Sequence, residues 1–335
     1  MTIMKKTVLV SGAGGSIGSE IVRQIRSDKT ISKLIINDIS ELSLFSTFNN
    51  AIENLSKFNK DLEVIPVLGD IGLDSTIQLI NTSFTRIHNI YHAAAYKHVG
   101  LSMTNPLIYY KNNIGATDGV IKIAKETDAQ IVHISTDKAV HPCNHMGYSK
   151  RICEFLYFND INNGLGYKIV RFGNVLNSSG SVIPIFKNQI KSGGPVTVTD
   201  PNATRFFMSI AEAVGLVLDC YKTPRKCKIN VLDMGPPQLI DRLAKNLIEQ
   251  AGFSVVTDEL DQDGIKIEYI GLRDGEKLHE TLSYLDVSPT GIPNINYAEE
   301  NTEVSGRFLL KLLEGLGSSQ FEILKTVNWI KGEFL

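Results

Sequence analysis

One feature near the amino terminus constrains the fold more than any other. A short apolar strand, TVLVS, runs directly into Gly12, Gly15 and Gly18 and then into an amphipathic helix, SIGSEIVRQI. Glycines at such a turn let the backbone approach a pyrophosphate, while the helix N-terminus offers unpaired N–H groups and the positive end of its dipole. Asp38 ends the next apolar run, 20 residues after Gly18. Together these features predict a dinucleotide-binding unit.

The acid at the end of the second strand also predicts which dinucleotide binds. The Asp38 carboxylate would accept hydrogen bonds from the adenosine ribose hydroxyls and repel a 2′-phosphate, so NAD is favoured over NADP. Asp70 ends the third strand, within reach of an adenine amino group. Small side chains end the fourth strand, where backbone must pass close to a cofactor; they are Ala93, Ala94 and Ala95. The other predicted cofactor contacts are Ser16, Ile17, Ile71, Asn113 and Lys150.

The first half of the chain alternates short β-branched runs with amphipathic stretches, which is typical of βαβ units and a parallel sheet. The predicted strands span residues 7–11, 33–38, 63–68, 89–92, 130–135 and 168–171. The predicted helices begin near Ser16, Ser40, Asp74, Asn105 and Met146. The sequence therefore predicts an α/β fold with a Rossmann-type doubly wound parallel sheet.

After Arg171 the alternation gives way to loop-rich stretches with Gly and Pro, such as FGNVLNSSGSVIP and SGGPVTVTDPN. We therefore predict an NAD-binding domain over 1–171 and a smaller C-terminal substrate-binding lobe over 172–335. The two are expected to exchange segments and to pack as one unit with a cleft between them.

Composition excludes several other classes of protein. The formal net charge is −2 with acids and bases interspersed, which argues against nucleic-acid or membrane-surface binding driven by bulk charge. No apolar run approaches the roughly 20 residues that span a bilayer, and no signal peptide is recognisable, so we expect a cytoplasmic protein without a membrane partner. Free cysteines are expected because CxxC spacing is absent among Cys143, Cys153, Cys220 and Cys227. No metal site is predicted.

Several further stretches carry a resemblance to a known family. They are SGAGGSIGSE, HAAAYKHV, ISTDKAVHPCNHMGYSK, RFGNVLNSSGSVIP, DPNATRFFM, LDMGPP and GLRDGEKLHE. Running from Ser11 to Glu280, they resemble the extended short-chain dehydrogenase/reductase superfamily and, within it, the CapD-like UDP-N-acetylglucosamine 4,6-dehydratases of polysaccharide biosynthesis. The resemblance implies that the sugar is oxidised at carbon 4 by NAD, loses water across carbons 5 and 6, and regains the hydride at carbon 6.

The resemblance gives roles to three residues just past the fifth strand, at the edge where open α/β sheets bind ligands. Lys138 is the candidate base at carbon 5, Asp137 the acid for the departing water, and Thr136 a hydrogen-bond donor to the ketone oxygen. Without the resemblance, a Thr-Asp pair at a strand end would equally be typical of a turn or a helix cap.

One catalytic residue of the superfamily is replaced. Ser135 and Lys150 match its serine and lysine, but Met146 stands where a tyrosine is expected, four residues before the lysine. A thioether cannot take a proton from a sugar hydroxyl. Tyr148 is no direct substitute, because two residues along a helix rotate its side chain by about 200°. The candidates left for this proton are Asp137 and a water held by Thr136 and Lys150.

The substrate site needs placed cations, because UDP is anionic and the chain has little net charge. By resemblance the substrate-binding residues are Arg205 and Arg273 on the phosphates, Asn174 and Glu276 on the nucleotide, and Lys97 near the sugar. Arginine suits this role because its fork grips two phosphate oxygens. Ser179 is a departure, since many relatives have a more basic loop there.

The leading interpretation is conversion of UDP-N-acetylglucosamine to a UDP-4-keto-6-deoxy-N-acetylhexosamine for surface polysaccharide or glycan synthesis, with retained configuration at carbon 5. A UDP-sugar 4-epimerase is the alternative within enzymes; it needs no elimination acid, so the Asp137–Lys138 pair argues against it. A non-catalytic NAD-binding regulatory protein is a third possibility, motivated by Met146. A homo-oligomer is expected by analogy.

Overall fold

The coordinates are a computed structural model of the chain. It describes residues 5–53, 55–158, 164, 166–178, 180–224, 228–256 and 264–300. The predictions that concern Ser179, Cys227 and the part of the second lobe beyond residue 300 lie outside these described residues.

Strands and helices alternate through the first half of the described chain. The strands are β1 (Lys6–Ser11), β2 (Ile31–Asp38), β3 (Glu63–Leu68), β4 (Asn89–His92), β5 (Gln130–Ile134), β6 (Tyr167–Arg171), β7 (Asn174–Val175), β8 (Val196–Val198), β9 (Thr204–Arg205), β10 (Phe207–Met208), β11 (Ile229–Leu232), β12 (Gln238–Leu239), β13 (Val255–Val256), β14 (Ile265–Tyr269), β15 (Val287–Pro289) and β16 (Ile295–Ala298). The helices are α1 (Ser16–Ile25), α2 (Glu41–Ile52), α3 (Leu55–Phe58), α4 (Asp74–Ser83), α5 (Val99–Thr104), α6 (Pro106–Thr127), α7 (His145–Phe158), α8 (Val182–Lys191), α9 (Ile210–Cys220) and α10 (Ile240–Gln250). None of these described helices combines the length and apolar character that a bilayer crossing requires.

The main sheet of the described chain has nine strands in the order β15-β16-β11-β6-β5-β4-β1-β2-β3. The seven strands from β3 to β11 are parallel, and β16 and β15 add an antiparallel edge. The order reverses direction between β1 and β4, as in the Rossmann fold, and this switch point opens a crevice at the carboxyl ends of the strands. The predicted fold class is confirmed.

Helices cover both faces of this sheet, which explains why its central strands read as continuous apolar runs rather than alternating ones. On one face, α4, α6 and α7 bury residues such as Ile80, Ile114 and Phe155. On the other face, α1, α2 and α9 bury residues such as Ile21 and Val214. The two apolar layers hold the strand ends at fixed positions, so the loops that follow them meet in one place.

The observed boundaries differ from the predicted ones by small shifts. β5 ends at Ile134, so Ser135, which was predicted to close that strand, begins the following loop instead. α7 begins at His145, directly before Met146. Both shifts leave the side chains of the predicted site at the carboxyl edge of the sheet.

The second half of the chain contributes to two layers. β13, β14 and β8 form a small sheet that packs with α8 and α10 around Phe186, Val196 and Ile248. By contrast, β11, β16 and β15 extend the main sheet, and α9 packs beside α1. Segments after residue 171 therefore return to the first unit, while the division of the chain at that residue stays a prediction.

Candidate active site

Two adjoining cavities open at the switch point of the sheet. The smaller has a volume of about 270 Å³, and the predicted residues that line it are Gly12, Gly15, Asp38, Asp70, Ile71, Ala93, Ala94 and Ala95. The larger has a volume of about 910 Å³, and the predicted residues that line it are Gly15, Ser16, Ile17, Gly18, Ala93, Ala95, Lys97, Ser135, Thr136, Lys138, Met146, Lys150, Asn174 and Glu276. The structure thus brings most of the predicted cofactor, catalytic and substrate residues together.

Four predicted residues do not line either cavity: Asn113, Asp137, Arg205 and Arg273. Asn113 is buried, and its amide bonds both the backbone of Tyr96 and the Ser149 hydroxyl. It therefore fixes the loop after β4 from behind rather than facing the cavity.

The glycine turn between β1 and α1 has no room for side chains. Gly12 has a φ of +69°, and a Cβ there would lie 2.5 Å from the backbone nitrogen of Ala94. A Cβ on Gly18 would overlap the carbonyl oxygen of Gly12. Gly15 caps α1 without any side-chain hydrogen bond to the first turn. The turn thus packs tightly against the β4 loop and presents a helix N-terminus that no side chain caps.

Asp38 holds the turn from the side of the smaller cavity. Its Oδ2 accepts a hydrogen bond of 2.8 Å from the Gly14 amide, and its Oδ1 accepts one of 2.9 Å from the Ser40 amide. Each carboxylate oxygen can accept more than one bond, so both retain capacity for a ligand hydroxyl. Asp70 likewise bonds the Gly72 amide at 2.8 Å while lining the same cavity.

The loop after β5 arranges three consecutive side chains around one oxygen. Asp137 is completely buried, and its Oδ1 accepts hydrogen bonds from Thr136 Oγ1 at 2.8 Å and from Lys138 Nζ at 3.0 Å. Asn174 Oδ1 accepts a second bond from Lys138 Nζ at 3.1 Å. Asp137 Oδ2 has no partner among the described residues. Thr136 and Lys138 therefore face the cavity, and the carboxylate that connects them lies behind the wall.

Lys150 has a different environment from Lys138. Its Nζ donates to the Ile134 carbonyl at 2.6 Å and lies 3.1 Å from His133 Nε2. Burial lowers the pKa of Lys150, and burial also holds the pKa of His133 well below its usual range. Met146 lies on the same cavity wall, whereas Tyr148 is buried in the core against α6. No phenol of α7 thus reaches the cavity.

A buried ion cluster supports the loop after β5 from below. Ser135 Oγ donates to Glu154 Oε1 at 2.6 Å, and Arg171 donates to both oxygens of Glu154 at 2.8 and 2.7 Å. Glu300 bonds Arg171 and Arg151. Ser135, the predicted catalytic serine, is thereby committed to a structural bond at the base of the loop.

The predicted substrate residues divide into two groups. Lys97, Asn174 and Glu276 line the larger cavity, and burial lowers the pKa of Lys97. Arg205 donates to the carbonyls of Thr204, Lys277 and Leu278, so it braces the segment that carries Glu276. Arg273 is exposed, and its backbone amide bonds Glu276. The phosphate roles of both arginines stay predictions.

The sequence did not single out His133, Glu154 or Arg171. One signal was available, because each is a polar or charged residue with apolar residues directly before and after it. Such residues are seldom buried without partners. The partners themselves lie 17 residues away for both Lys150 with His133 and Arg171 with Glu154, and no local pattern identifies them.

The fold and this site define an extended short-chain dehydrogenase/reductase. A family model described as "Polysaccharide biosynthesis protein" matches residues 8–298, and the chain belongs to that family. The capsular polysaccharide biosynthesis protein CapD of Staphylococcus aureus is 46% identical over 284 residues, which cover 84% of this chain. The chain spans only 45% of that relative's length.

Two further relatives show the range of the family. A protein named UDP-glucose 4-epimerase from Rickettsia canadensis is 34% identical over 283 residues, covering 83% of this chain and 77% of the relative. The solved structure of Pen from Bacillus thuringiensis is similar with a TM-score of 0.74 and 29% identity, over 88% of this chain and 90% of that one. Epimerases and dehydratases are both found among similar structures.

Proposed function

We propose that the protein is a cytoplasmic, homo-oligomeric NAD-dependent dehydratase that converts UDP-N-acetylglucosamine to a UDP-4-keto-6-deoxy-N-acetylhexosamine for surface polysaccharide or glycan synthesis. One observation carries the proposal. Lys138 and Thr136 face a large cavity beside the glycine turn, and both bond the same buried carboxylate oxygen of Asp137. An oxidation alone needs no such group, whereas an elimination needs a base and an acid together.

The residues of the smaller cavity fit NAD. The glycine turn packs tightly against the loop after β4 and carries no side chains that would stand between the backbone and a ligand, and the uncapped N-terminus of α1 suits a pyrophosphate. Asp38 is placed to accept from ribose hydroxyls and would repel a 2′-phosphate. When bound, NAD supplies the hydride acceptor for oxidation at carbon 4 and the hydride donor for carbon 6.

The elimination follows from the Lys138–Asp137 pair. A proton that moves from Lys138 Nζ to Asp137 Oδ1, across 3.0 Å, converts an ion pair into an amine and a carboxylic acid. This transfer neutralises the fully buried Asp137 carboxylate together with the partly buried Lys138 ammonium, and charge is costly in such surroundings. The Lys138 amine then takes the proton at carbon 5, which the neighbouring ketone has made acidic.

Thr136 connects the buried acid with the substrate. Asp137 is completely buried, so it cannot touch the departing hydroxyl directly. Thr136 Oγ1 lies 2.8 Å from Asp137 Oδ1 and faces the cavity. Thr136 therefore passes the proton of the acid to the hydroxyl that leaves carbon 6, which modifies the direct role predicted for Asp137.

The test is incubation of the purified protein with NAD and UDP-N-acetylglucosamine, followed by NMR of the product. A 4-keto-6-deoxy sugar supports the proposal, and in deuterated water one deuteron should appear at carbon 5 with configuration retained. A matched Lys138→Met variant should accumulate NADH without product. UDP-N-acetylgalactosamine as the product would instead establish a 4-epimerase, the activity named for the Rickettsia relative. Unchanged substrate with bound NAD would indicate a regulatory protein.

A further inference from the structure

In the larger cavity, Met146 occupies the position of the tyrosine whose phenol would take the proton of the carbon 4 hydroxyl. Asp137 does not reach the cavity. Tyr109 lines the cavity, but its hydroxyl donates to the His98 carbonyl at 2.7 Å. Tyr96 also lines it, on the loop after β4. Lys150 is the remaining proton-accepting group on the α7 side.

The partners of Lys150 match the hydrogen bonds of a neutral amine. An amine has two N–H groups and one lone pair, whereas an ammonium has three N–H groups and no lone pair. Two acceptors face Nζ, the Ile134 carbonyl and His133 Nε2. Both N–H groups of an amine are thereby satisfied, and the third tetrahedral position is left for a group in the cavity that Lys150 lines.

His133 is held as a neutral acceptor. Its Nδ1 faces the Tyr157 hydroxyl at 3.4 Å, and its ring packs 5.0 Å from that of His92. His92 is also committed, because its Nδ1 lies 2.7 Å from Ser11 Oγ and its Nε2 lies 3.1 Å from Thr117 Oγ1. Burial lowers the pKa of His92 to about 3. Both rings are therefore neutral, and as weaker bases than an amine they do not take the proton of Lys150.

The other groups around Lys150 give it no counter-ion. His133 faces it from β5 and His92 from β4, while Cys153 and Glu154 face it from its own helix. The Cys153 thiol is directed to the Asn113 carbonyl. The carboxylate of Glu154 is fully engaged with Arg171, Arg151 and Ser135. Lys138, in contrast, bonds a carboxylate directly.

We propose that Lys150 is the catalytic base for the carbon 4 hydroxyl and that His133 is the positioning residue that aims it. The inference rests on the proposed function, since it concerns the oxidation that precedes the elimination. The O–H bond of the hydroxyl breaks and an N–H bond forms on Nζ. The two electrons of the carbon 4 C–H bond leave as hydride to NAD, and a C=O bond forms. Carbon 4 stays a ketone in the product, so Nζ releases this proton to solvent, and it balances the proton that the departing water takes from the Lys138–Asp137 pair.

The Lys150→Arg variant distinguishes between two roles of Lys150, that of a catalytic base and that of a residue that only anchors the cofactor. Arginine keeps hydrogen-bond donors at this position but cannot be deprotonated, so it cannot act as a base. We expect Lys150→Arg to bind NAD within about threefold of wild type and to lose NADH formation by on the order of a hundredfold or more in single-turnover absorbance. A Lys150→Arg enzyme that oxidises substrate normally would show that the lysine only anchors the cofactor and would overturn the proposal.

Substitutions at His133 test the positioning role. His133→Gln retains an acceptor and should keep NADH formation close to wild type, whereas His133→Leu should slow it about tenfold or more with little change in the KM for the UDP-sugar. Tyr157→Phe is the matched control, because it touches the same ring without touching Lys150. Tyr96→Phe tests whether the Tyr96 hydroxyl, instead of Lys150, takes the proton of the carbon 4 hydroxyl. Equal rates for the Leu and Gln variants, or loss of NADH formation in Tyr96→Phe, would contradict the proposal.

A second readout needs neither cofactor nor substrate. In protein labelled with ¹³C at lysine Cε, the Lys150 signal, assigned by its loss in Lys150→Arg, should titrate below the ordinary lysine pKa of 10.5. The pKa of Lys150 should fall further in His133→Leu, because removing a hydrogen-bond acceptor destabilises the ammonium form more than the amine form. An ordinary, unshifted titration would refute the inference.

Failure of this inference is distinguishable from failure of the proposed function. If wild type makes an epimer instead of a 4-keto sugar, dehydration is wrong while the Lys150 and His133 variants still report on the oxidation. If wild type makes the 4-keto sugar and Lys150→Arg does so equally well, only the inference is wrong. A wild-type protein that forms NADH with no UDP-hexose overturns both.

Discussion

Replacement of Glu154 by glutamine tests how much the buried ion cluster below the loop after β5 contributes to the free energy of unfolding. Two guanidinium groups and two carboxylates neutralise one another there, and their side chains are at most 9% exposed. Glu154 alone accepts bonds from Ser135, Arg171 and Arg151. Glu154→Gln leaves a net buried positive charge and turns an NH₂ group toward donors. Breaking such a pair costs about 3–5 kcal/mol of unfolding free energy.

The loss should depend on pH. Burial acts to raise the pKa of Glu154, but the charge and hydrogen bonds of Arg171, together with Arg151, outweigh it and lower the pKa to about 2. A carboxyl group whose folded pKa lies below its unfolded value of 4.5 stabilises the fold above that unfolded value and loses this contribution as pH falls through the folded one. The difference between wild type and Glu154→Gln should therefore be largest at neutral pH and shrink from about pH 5 to about pH 2.

Urea unfolding followed by circular dichroism measures the effect. Asp219→Asn is the matched control, because its ion pair with Lys222 is exposed and should contribute less than about 1 kcal/mol. Arg151→Met combined with Glu154→Gln restores neutrality and should recover part of the lost stability. The reasoning is refuted if Glu154→Gln costs no more than Asp219→Asn, or if its cost is the same at neutral and acidic pH.

Three other substitutions test the cavity. Wild type should bind NAD more tightly than NADP, and Asp38→Ser should reduce the ratio of the two affinities about tenfold, because it removes the carboxylate that repels a 2′-phosphate. Calorimetric titration with each cofactor measures this ratio. Equal affinities in wild type would contradict the prediction. Asn174→Leu removes one of the two oxygens that hold Lys138 Nζ, so NADH should form normally while formation of the 4-keto-6-deoxy product slows about tenfold. A normal rate of product formation would exclude the positioning role. Arg273→Ala should weaken UDP binding by about 1.5–3 kcal/mol if the arginine grips the pyrophosphate, and an unchanged KM would show that it does not contact the substrate. Arg242→Ala is the control, because Arg242 is an exposed residue of α10 that lines neither cavity.

The fold was predictable because its signals are local. The turn at Gly12, the acid at Asp38 and the apolar runs of the strands all lie within short stretches of sequence, and a parallel sheet with helices on both faces follows from their alternation. The return of β11, β15 and β16 to the main sheet was not specified, because their short apolar runs fit either lobe equally well. Which sheet they join depends on packing against distant elements.

The sequence predicted which residues belong to the candidate site, but not how deeply each of them is buried. Sequence position placed Thr136, Asp137 and Lys138 at the carboxyl edge of the sheet, but it could not show that Asp137 turns inward while its neighbours face the cavity. That difference arises because the chain enters a short 3₁₀ turn at Asp137, whose amide donates to the carbonyl of Phe172, the residue directly after β6. In the same way, no local pattern shows that His133 lies beside Lys150, which is 17 residues away in the sequence.

Two lysines on one cavity wall can serve different steps because their partners differ. Lys138 is bonded to a buried carboxylate, so the pair stores one proton that can be delivered as acid and recovered as base during the elimination. Lys150 bonds only neutral acceptors, so its amine can receive a proton without separating an ion pair. The proposed reaction first removes a proton from oxygen and then moves a proton between carbon 5 and the leaving hydroxyl. These two steps need two groups that gain and lose protons independently. Met146 in place of the tyrosine is then compatible with the proposed dehydration, because the proposals assign the first of these tasks to Lys150 and the second to Lys138 and Asp137.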